Sequence, residues 1–358
     1  EIQKCKIVFI TIGTPINKNK KISLEKLFNI VKELKKKLSN NTILVLRSTV
    51  KIGTTKKIEK ISNTEKKIYL AMCPERTTEG SAFKEINSIP QVIGVKSKFA
   101  KNTLKKLFHK LTNTTIIFNS FEEAEILKLI DNCYRDTIFG FANELAKIGE
   151  LLNINVLNVI KKIGIKYPRT KIPYPGTVGG PCLTKDSHIL IESVKKKMNL
   201  GIISSSRKIN EKLPIDIIGL IKKKFKRKKV KTILFCGLAF KGEPETSDIR
   251  GSMSESIIRE CKKKFGNARY YSLDNFVSNE DAYNISKEMK FYNLYSKINQ
   301  SFDLIIILNN NPYWKKIGLK KFVNKLTTDG IIFDFWSSFK DVEDEKKYYK
   351  LGQGKISY

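Results

Sequence analysis

Apolar and polar positions along this chain alternate between two periodicities. Lys6-Ile7-Val8-Phe9-Ile10-Thr11-Ile12 is a nearly unbroken apolar run ending in the turn Gly13-Thr14-Pro15, the pattern of a strand buried on both faces of a parallel sheet. Leu24, Leu27, Phe28, Val31, Leu34 and Leu38 follow at helical spacing. The pair of signals then repeats. Strands are expected at Thr42 to Leu46, closed by Arg47-Ser48-Thr49-Val50, and at Lys67 to Met72, ending in Pro74-Glu75-Arg76. Pro90 to Val95 and Thr114 to Phe118 read the same way, with a basic helix from Lys98 to Leu111 between them. Strand–helix alternation predicts a doubly wound parallel sheet. Such sheets bind ligands at the carboxyl ends of their strands, where Thr11 to Pro15, Ser48-Thr49 and Glu75 to Glu79 fall.

The strongest helical signal starts at a capping box, Ser120 with Glu123. Leu127, Ile130, Tyr134, Ile138, Phe141, Leu145, Ile148 and Leu152 keep three- and four-residue spacing after it. Lys128 and Asn132 share another flank, with Arg135 beside them, which ordinarily reads as a wet face. With a helix over Val156 to Ile163 and another over Asp186 to Met198, this helix makes residues 119–204 a helical middle, and a further helix from Ser205 carries Arg207 and Asn210. After the basic run Lys222 to Lys231, a strand over Thr232 to Cys236 opens a second α/β sheet with later strands at Asp303 to Leu308 and Gly330 to Phe335. The predicted fold is therefore α/β: two doubly wound parallel-sheet domains, 1–118 and 205–358, joined by helices. A nucleotide-binding sheet of the Rossmann type normally opens with GxGxxG, and none occurs here. The first sheet is accordingly expected to be N-terminally truncated, its apolar edge strand covered by an absent segment or by another chain.

Composition changes this picture little. Hydrophobic residues are 41% of the 358, enough for sizeable cores. The net charge of +33 is spread in short lysine runs along the whole chain. No zinc-finger, RRM or KH pattern accompanies it, so it reads as solvated surface that attracts small anions rather than as a nucleic-acid interface. Six cysteines without a CxxC, no secretory leader and no membrane-length apolar run point to reduced thiols in the cytoplasm. Two histidines, His109 and His188, are too few for a metal site.

The candidate chemistry lies in Tyr174-Pro175-Gly176-Thr177-Val178-Gly179-Gly180-Pro181-Cys182-Leu183-Thr184-Lys185-Asp186. Glycines and prolines bend the backbone there and leave the Cys182 sulfur uncrowded. A cysteine at a helix start beside a lysine is the setting of a nucleophile; a small structural thiol in a tight loop is the alternative.

In this order the pieces resemble the UDP-glucose/GDP-mannose dehydrogenase family, the nucleotide-sugar 6-dehydrogenases. The matching stretches are 8–15, Ser48-Thr49-Val50, Pro74 to Gly80, Ala124 to Lys128, Asn143-Glu144-Leu145, Gly179 to Asp186, and Gly237-Leu238-Ala239-Phe240-Lys241 with Asp248-Ile249-Arg250. The resemblance implies an NAD-binding Rossmann domain, a central domain that dimerises, and a UDP-sugar-binding domain. It implies Cys182 as nucleophile, Glu75 as acid/base for thioester hydrolysis, Lys128 and Asn132 as the oxyanion's partners, and Asp186 and Thr49 positioning water and base. Thr14, Pro15, Ser48, Thr49, Glu79, Lys185 and Arg250 would contact NAD. Arg76, Tyr174, Gly176, Gly179 and Lys241 would line the sugar-nucleotide site with Glu75, Lys128 and Asn132, and Arg169 would reach a partner subunit's substrate. Trp336-Ser337 stands where the family commonly has Arg-Asn after Asp334.

The implied reaction is NAD-dependent oxidation of the C6 hydroxyl of a UDP-sugar to the uronate, for polysaccharide precursors. UDP-glucose and a UDP-N-acetylhexosamine such as UDP-N-acetylmannosamine are the candidate substrates. A truncated nucleotide-sugar-binding or dimerisation module without dehydrogenase activity is the competing expectation. A homodimer or larger homo-oligomer is expected, with no nucleic-acid or membrane partner.

Overall fold

The same alternation of apolar runs builds two sheets, seen in a computed structural model that describes residues 1–17, 19–62, 66–195, 197–226, 228–339, 342 and 345–356. Lys196 and Arg227, from two of the basic runs, lie outside them. The chain divides into two compact units, residues 1–134 with 185–204, and residues 135–184 with 205–358.

In the first unit β1 (Ile7–Ile10), β2 (Ile43–Leu46), β3 (Tyr69–Met72), β4 (Gln91–Val95) and β5 (Thr115–Phe118) lie in sequence order. Between them run α1 (Glu25–Lys37), α2 (Thr54–Ser62), α3 (Ala82–Ser88) and α4 (Lys98–Phe108). Side chains alternate across the sheet, and both faces are covered. Leu44, Leu46, Leu70 and Met72 pack with Leu27 and Val31 of α1; Ile43, Val45, Ala71, Ile93 and Val95 pack with Ala100, Leu104 and Phe108 of α4. Burial on both sides explains why these strands read as continuous apolar runs. The sheet is not wholly parallel, however. β4 runs antiparallel to β3, joined through only Ala71 with Val95 and Met72 with Gly94. The connection between them holds the short α3 in place of a full crossover helix, and apolar periodicity carries no sign of strand direction. β1 stands at the sheet edge, with Phe9 40% exposed.

α5 (Phe121–Leu152) starts as expected, with Ser120 accepting the N–H of Glu123 at 3.3 Å. Its faces are reversed from the simplest reading. Ile130, Tyr134, Phe141, Ile148 and Leu152 of the apolar stripe are exposed, while Lys128, Asn132, Asp136, Asn143 and Glu150 are buried. α6 (Val156–Ile163) matches its expected span. α7 (Leu183–Val194) begins before Asp186, and α8 (Gly201–Lys224) before Ser205. The early start of α7 has a local cause: Thr184 donates from both its N–H and its hydroxyl to the Gly180 carbonyl, which initiates helical bonding.

In the second unit β6 (Thr232–Cys236), β7 (Arg269–Leu273), β8 (Lys290–Tyr292), β9 (Phe302–Ile307), β10 (Leu326–Asp334) and β11 (Tyr348–Lys350) form a parallel sheet in the order β11-β10-β9-β6-β7-β8. The winding direction reverses between β6 and β9, and a crevice opens at the carboxyl ends of such a pair. Gly237 follows β6 there with φ +95°; a Cβ would lie 2.3 Å from Asn309 Oδ1 of the segment after β9, so only glycine admits the approach.

Candidate active site

Three polar turns of the first unit meet the expectation for strand ends. Ser48 Oγ donates to the Ile12 carbonyl at 2.7 Å, and Thr14 Oγ1 donates to the Thr49 carbonyl, so the turns after β1 and β2 are tied together. Pro15 is exposed beside them, Thr49 half-buried, and the space around Gly13 is open. Hydroxyls and exposed backbone at the ends of β1 and β2 suit a dinucleotide's ribose and amide groups. Glu79 lies exposed beyond β3.

Glu75, just past β3, is held on both oxygens. One accepts the backbone N–H groups of Arg76 and Thr77, each at 2.9 Å, and the other accepts from the Arg47 guanidinium. Burial alone would raise this carboxyl, but the Thr77 N–H and the Arg47 charge outweigh it and bring it down to about 2. Glu75 is therefore a fixed anion at neutral pH, and a weak base while Arg47 holds it. Arg76 turns the other way and pairs with Asp131 at 3.0 Å.

At the next residue of α5 the structure gathers three predicted residues of this unit. Asn132 Nδ2 donates to Asp186 Oδ2 at 2.6 Å, and Lys185 Nζ pairs with Asp186 Oδ1 at 2.7 Å. Asp186 is fully buried. Leu129 and Cys133 pack with Ile189 and Leu190, fixing α5 against α7 at this point. Lys128 is 8% exposed, and among the described residues it has neither hydrogen-bond nor ion-pair partner. An ammonium with no counter-charge from the protein is available to an anionic group of a ligand. The wet-face reading of Lys128 and Asn132 is thus overturned. Helical spacing shows which residues share a flank, but only packing decides whether that flank meets water.

The remaining predicted residues belong to the second unit. Cys182 is exposed and directly precedes the first residue of α7. Burial pushes the Cys73 thiol up to about 12 and also raises Cys236 and Cys261, so those sulfurs stay protonated and inert. The loop before Cys182 docks at the reversal point of the second sheet: Thr177 Oγ1 donates to the carbonyl of Leu308, just past β9, at 3.1 Å. Gly176 lies under the Trp336 ring, where a Cβ would come within 2.9 Å, and Gly179 lies against the Gly251 carbonyl. Tyr174 is half-buried. The Lys241 ammonium stands 5.3 Å from the Phe240 ring centre, and exposed Arg250 pairs with Asp248. Arg169 is exposed over Tyr167.

Sequence reasoning passed over Asp136, and gave Arg47, Asn143, Arg207 and Asn210 no role. For Asp136 and Asn143 the advance signal was polar side chains recurring at helical spacing on the flank of Lys128 and Asn132.

Comparison with known proteins decides the assignment. Residues 1–112, 122–212 and 234–341 match the UDP-glucose/GDP-mannose dehydrogenase family, NAD binding domain, central domain and UDP binding domain respectively. A UDP-N-acetyl-D-mannosamine dehydrogenase of Methanocaldococcus jannaschii is 31% identical over 348 residues, covering 90% of this chain and 80% of that protein. The chain belongs to the UDP-glucose/GDP-mannose dehydrogenase family. It is an NAD-dependent oxidoreductase. A solved UDP-D-ManNAc dehydrogenase from Pyrococcus horikoshii superposes with a TM-score of 0.84 at 25% identity, covering 99% of this chain and 82% of that one. The UDP-N-acetyl-mannosamine dehydrogenase of Staphylococcus aureus gives 0.80 at 26% identity, covering 97% and 81%. Among the described residues no helix is long and apolar enough to cross a membrane.

Proposed function

We propose that this enzyme oxidises the C6 hydroxyl of a UDP-N-acetylhexosamine, UDP-N-acetylmannosamine foremost, to the uronate in two successive steps. UDP-glucose is the alternative substrate. The reading takes its substrate class from the relatives' activities, and the ammonium of Lys128, left without a counter-charge among the described residues, is the observation that supports it most. NAD, when bound, accepts a hydride from C6 in each step. The residues suited to hold it are Thr14, Pro15, Ser48, Thr49, Glu79 and Lys185, with Arg250 assigned by family resemblance.

The chain's own groups then divide the work. The Cys182 thiolate adds to the C6 aldehyde and keeps it covalently bound as a thiohemiacetal. Lys128, with Asn132 beside it, stabilises the negative charge on the C6 oxygen. Loss of the second hydride from that carbon leaves a thioester, and water adds to its carbonyl and expels the Cys182 sulfur, giving the uronate. Glu75 or Asp186, assisted by Thr49, takes the water's proton; Glu75 does so once its bond to Arg47 is released. Arg76, Tyr174, Gly176, Gly179 and Lys241 line the sugar-nucleotide site, and Arg169 serves a neighbouring subunit. The enzyme works in the cytoplasm as a homodimer, supplying uronates for polysaccharide synthesis. The exposed apolar residues Phe141 and Ile148 of α5 and Val159 and Ile163 of α6 support the dimer.

Stoichiometry tests this route. The parent enzyme is expected to form two NADH per sugar oxidised, and Cys182→Ala to lose complete turnover. One NADH per sugar, or an unimpaired alanine variant, would reject covalent retention of the aldehyde.

A further inference from the structure

Within the second unit the loop that carries Cys182 is gripped by its backbone. The Asn143 side-chain amide pairs with the Gly176 peptide on both sides, donating to its carbonyl at 3.0 Å and accepting its N–H at 2.9 Å. Arg207 donates to the Leu183 carbonyl at 2.9 Å and to the Val178 carbonyl at 3.4 Å, two acceptors that bracket Cys182. The same guanidinium donates to Asp136 Oδ1 at 2.9 Å, and its Nε lies 3.6 Å from the Glu211 carboxylate. Asn210 joins the two grips, donating to Asp136 and accepting from Asn143 at 2.9 Å. Arg207, Asp136, Asn143 and Asn210 are each 1% exposed or less. None of them carries a role in the chemistry proposed above.

A buried ion pair is a poor device for stability, because desolvating both charges offsets their attraction and well-packed apolar residues often do as well. What apolar residues cannot do is bind carbonyls. A planar guanidinium with several fixed donors can hold two carbonyls and a carboxylate at once, which a lysine ammonium cannot reproduce in that geometry. The opposite surface of the loop is pinned too: Gly180 donates its N–H to the Gly251 carbonyl at 2.8 Å, and Trp336 Nε1 donates to Thr177 Oγ1 at 2.9 Å.

We infer that Arg207, neutralised by Asp136 and continued through Asn210 and Asn143, is a positioning residue that sets the Cys182 sulfur by fixing the carbonyls on either side of it. The inference rests on the reading of Cys182 as nucleophile. Misplacing a reacting atom by about 1 Å costs on the order of 100-fold in rate, so Arg207→Lys is expected to lower kcat by about that factor. The KM for NAD should stay within about twofold, since the loss falls on the chemical step.

Site-resolved alkylation supplies a readout independent of turnover. Cys5 and Cys182 are exposed, whereas Cys73, Cys133, Cys236 and Cys261 are buried. With iodoacetamide and peptide mass analysis, Arg207→Lys and Asn143→Ser should change the Cys182 rate and its pH profile. Cys5 should react as in the parent, and the four buried thiols should stay protected. Cys182 alkylation and kcat both unchanged in the two variants would overturn the inference. So would reaction of the buried thiols in both, which would assign the network to folding instead. If Cys182→Ala itself turns over normally, the nucleophile reading falls. Normal Arg207 and Asn143 variants beside an inactive Cys182→Ala sink the positioning role alone.

Discussion

Glu75 receives two backbone N–H groups on one oxygen and the Arg47 guanidinium on the other. Its folded pKa of about 2 lies below the ordinary 4.5, so the sign of its linkage follows directly. The stability it contributes is complete above about 4.5 and is lost as pH falls towards about 2. Arg47→Met removes one of the two influences that hold the carboxyl down. Carbon-detected NMR titration of the Glu75 carboxyl should show its midpoint moving up towards 4.5 in that variant. The acid limb of the activity profile should move in the same direction if Glu75 takes the water's proton. An unchanged midpoint would mean that the Thr77 N–H alone sets the acidity. Cys182 is the contrasting case, since neighbouring sequence and final environment agree: a glycine-rich loop, an exposed sulfur and a helix start.

α5 shows what one element does when its polar flank is turned inward. Near its end the buried Glu150 accepts the N–H groups of Gly354 and Ile356 at 3.1 Å each, docking the segment after β11. Gly352 and Gly354 take φ of +83° and +73° there, which lets the backbone close around the carboxylate. Burial raises the Glu150 pKa despite those bonds. A raised carboxyl favours the fold below its unfolded pKa and loses that advantage as pH rises through the folded value. Glu150→Leu leaves the buried N–H groups of Gly354 and Ile356, among others, unpaired, at about 1–3 kcal/mol each. The expected outcome is a thermal midpoint lowered by several degrees, with faster amide exchange at Gly354 and Ile356. A midpoint equal to the parent's would show that water replaces the carboxylate at little cost.

For the whole molecule, the +33 charge and the exposed apolar residues pull in different directions. Self-repulsion opposes association, so a dimer must bury enough apolar surface to overcome it. Light scattering should give twice the monomer mass for the parent, and Phe141→Glu with Ile148→Glu should give the monomer. A monomeric parent at physiological salt would remove the dimer from the proposal. Charge also predicts weaker binding of the anionic nucleotides as salt rises, because screening acts on diffuse fields. A KM for NAD independent of salt between low and physiological ionic strength would show that local contacts carry the affinity.

Much of this was legible in one dimension. Apolar runs announced the strands because residues buried on both faces need no polar alternation. The turns after β1, β2 and β3 could be placed at the carboxyl ends of their strands because each closes an apolar run with polar residues, glycine or proline. The Gly-rich loop announced Cys182 because tight backbone is written in glycine and proline. Only the tertiary structure decided that β4 runs against β3, since apolar periodicity is blind to direction. It alone decided that Lys128, Asn132, Asp136 and Asn143 lie inside while Phe141 and Ile148 face out, because a helix with polar and apolar flanks can turn either to its neighbours. And it alone made Arg207 a grip on the cysteine loop: hydrogen bonds between residues distant in sequence depend on where packing brings the backbone, which local pattern does not encode.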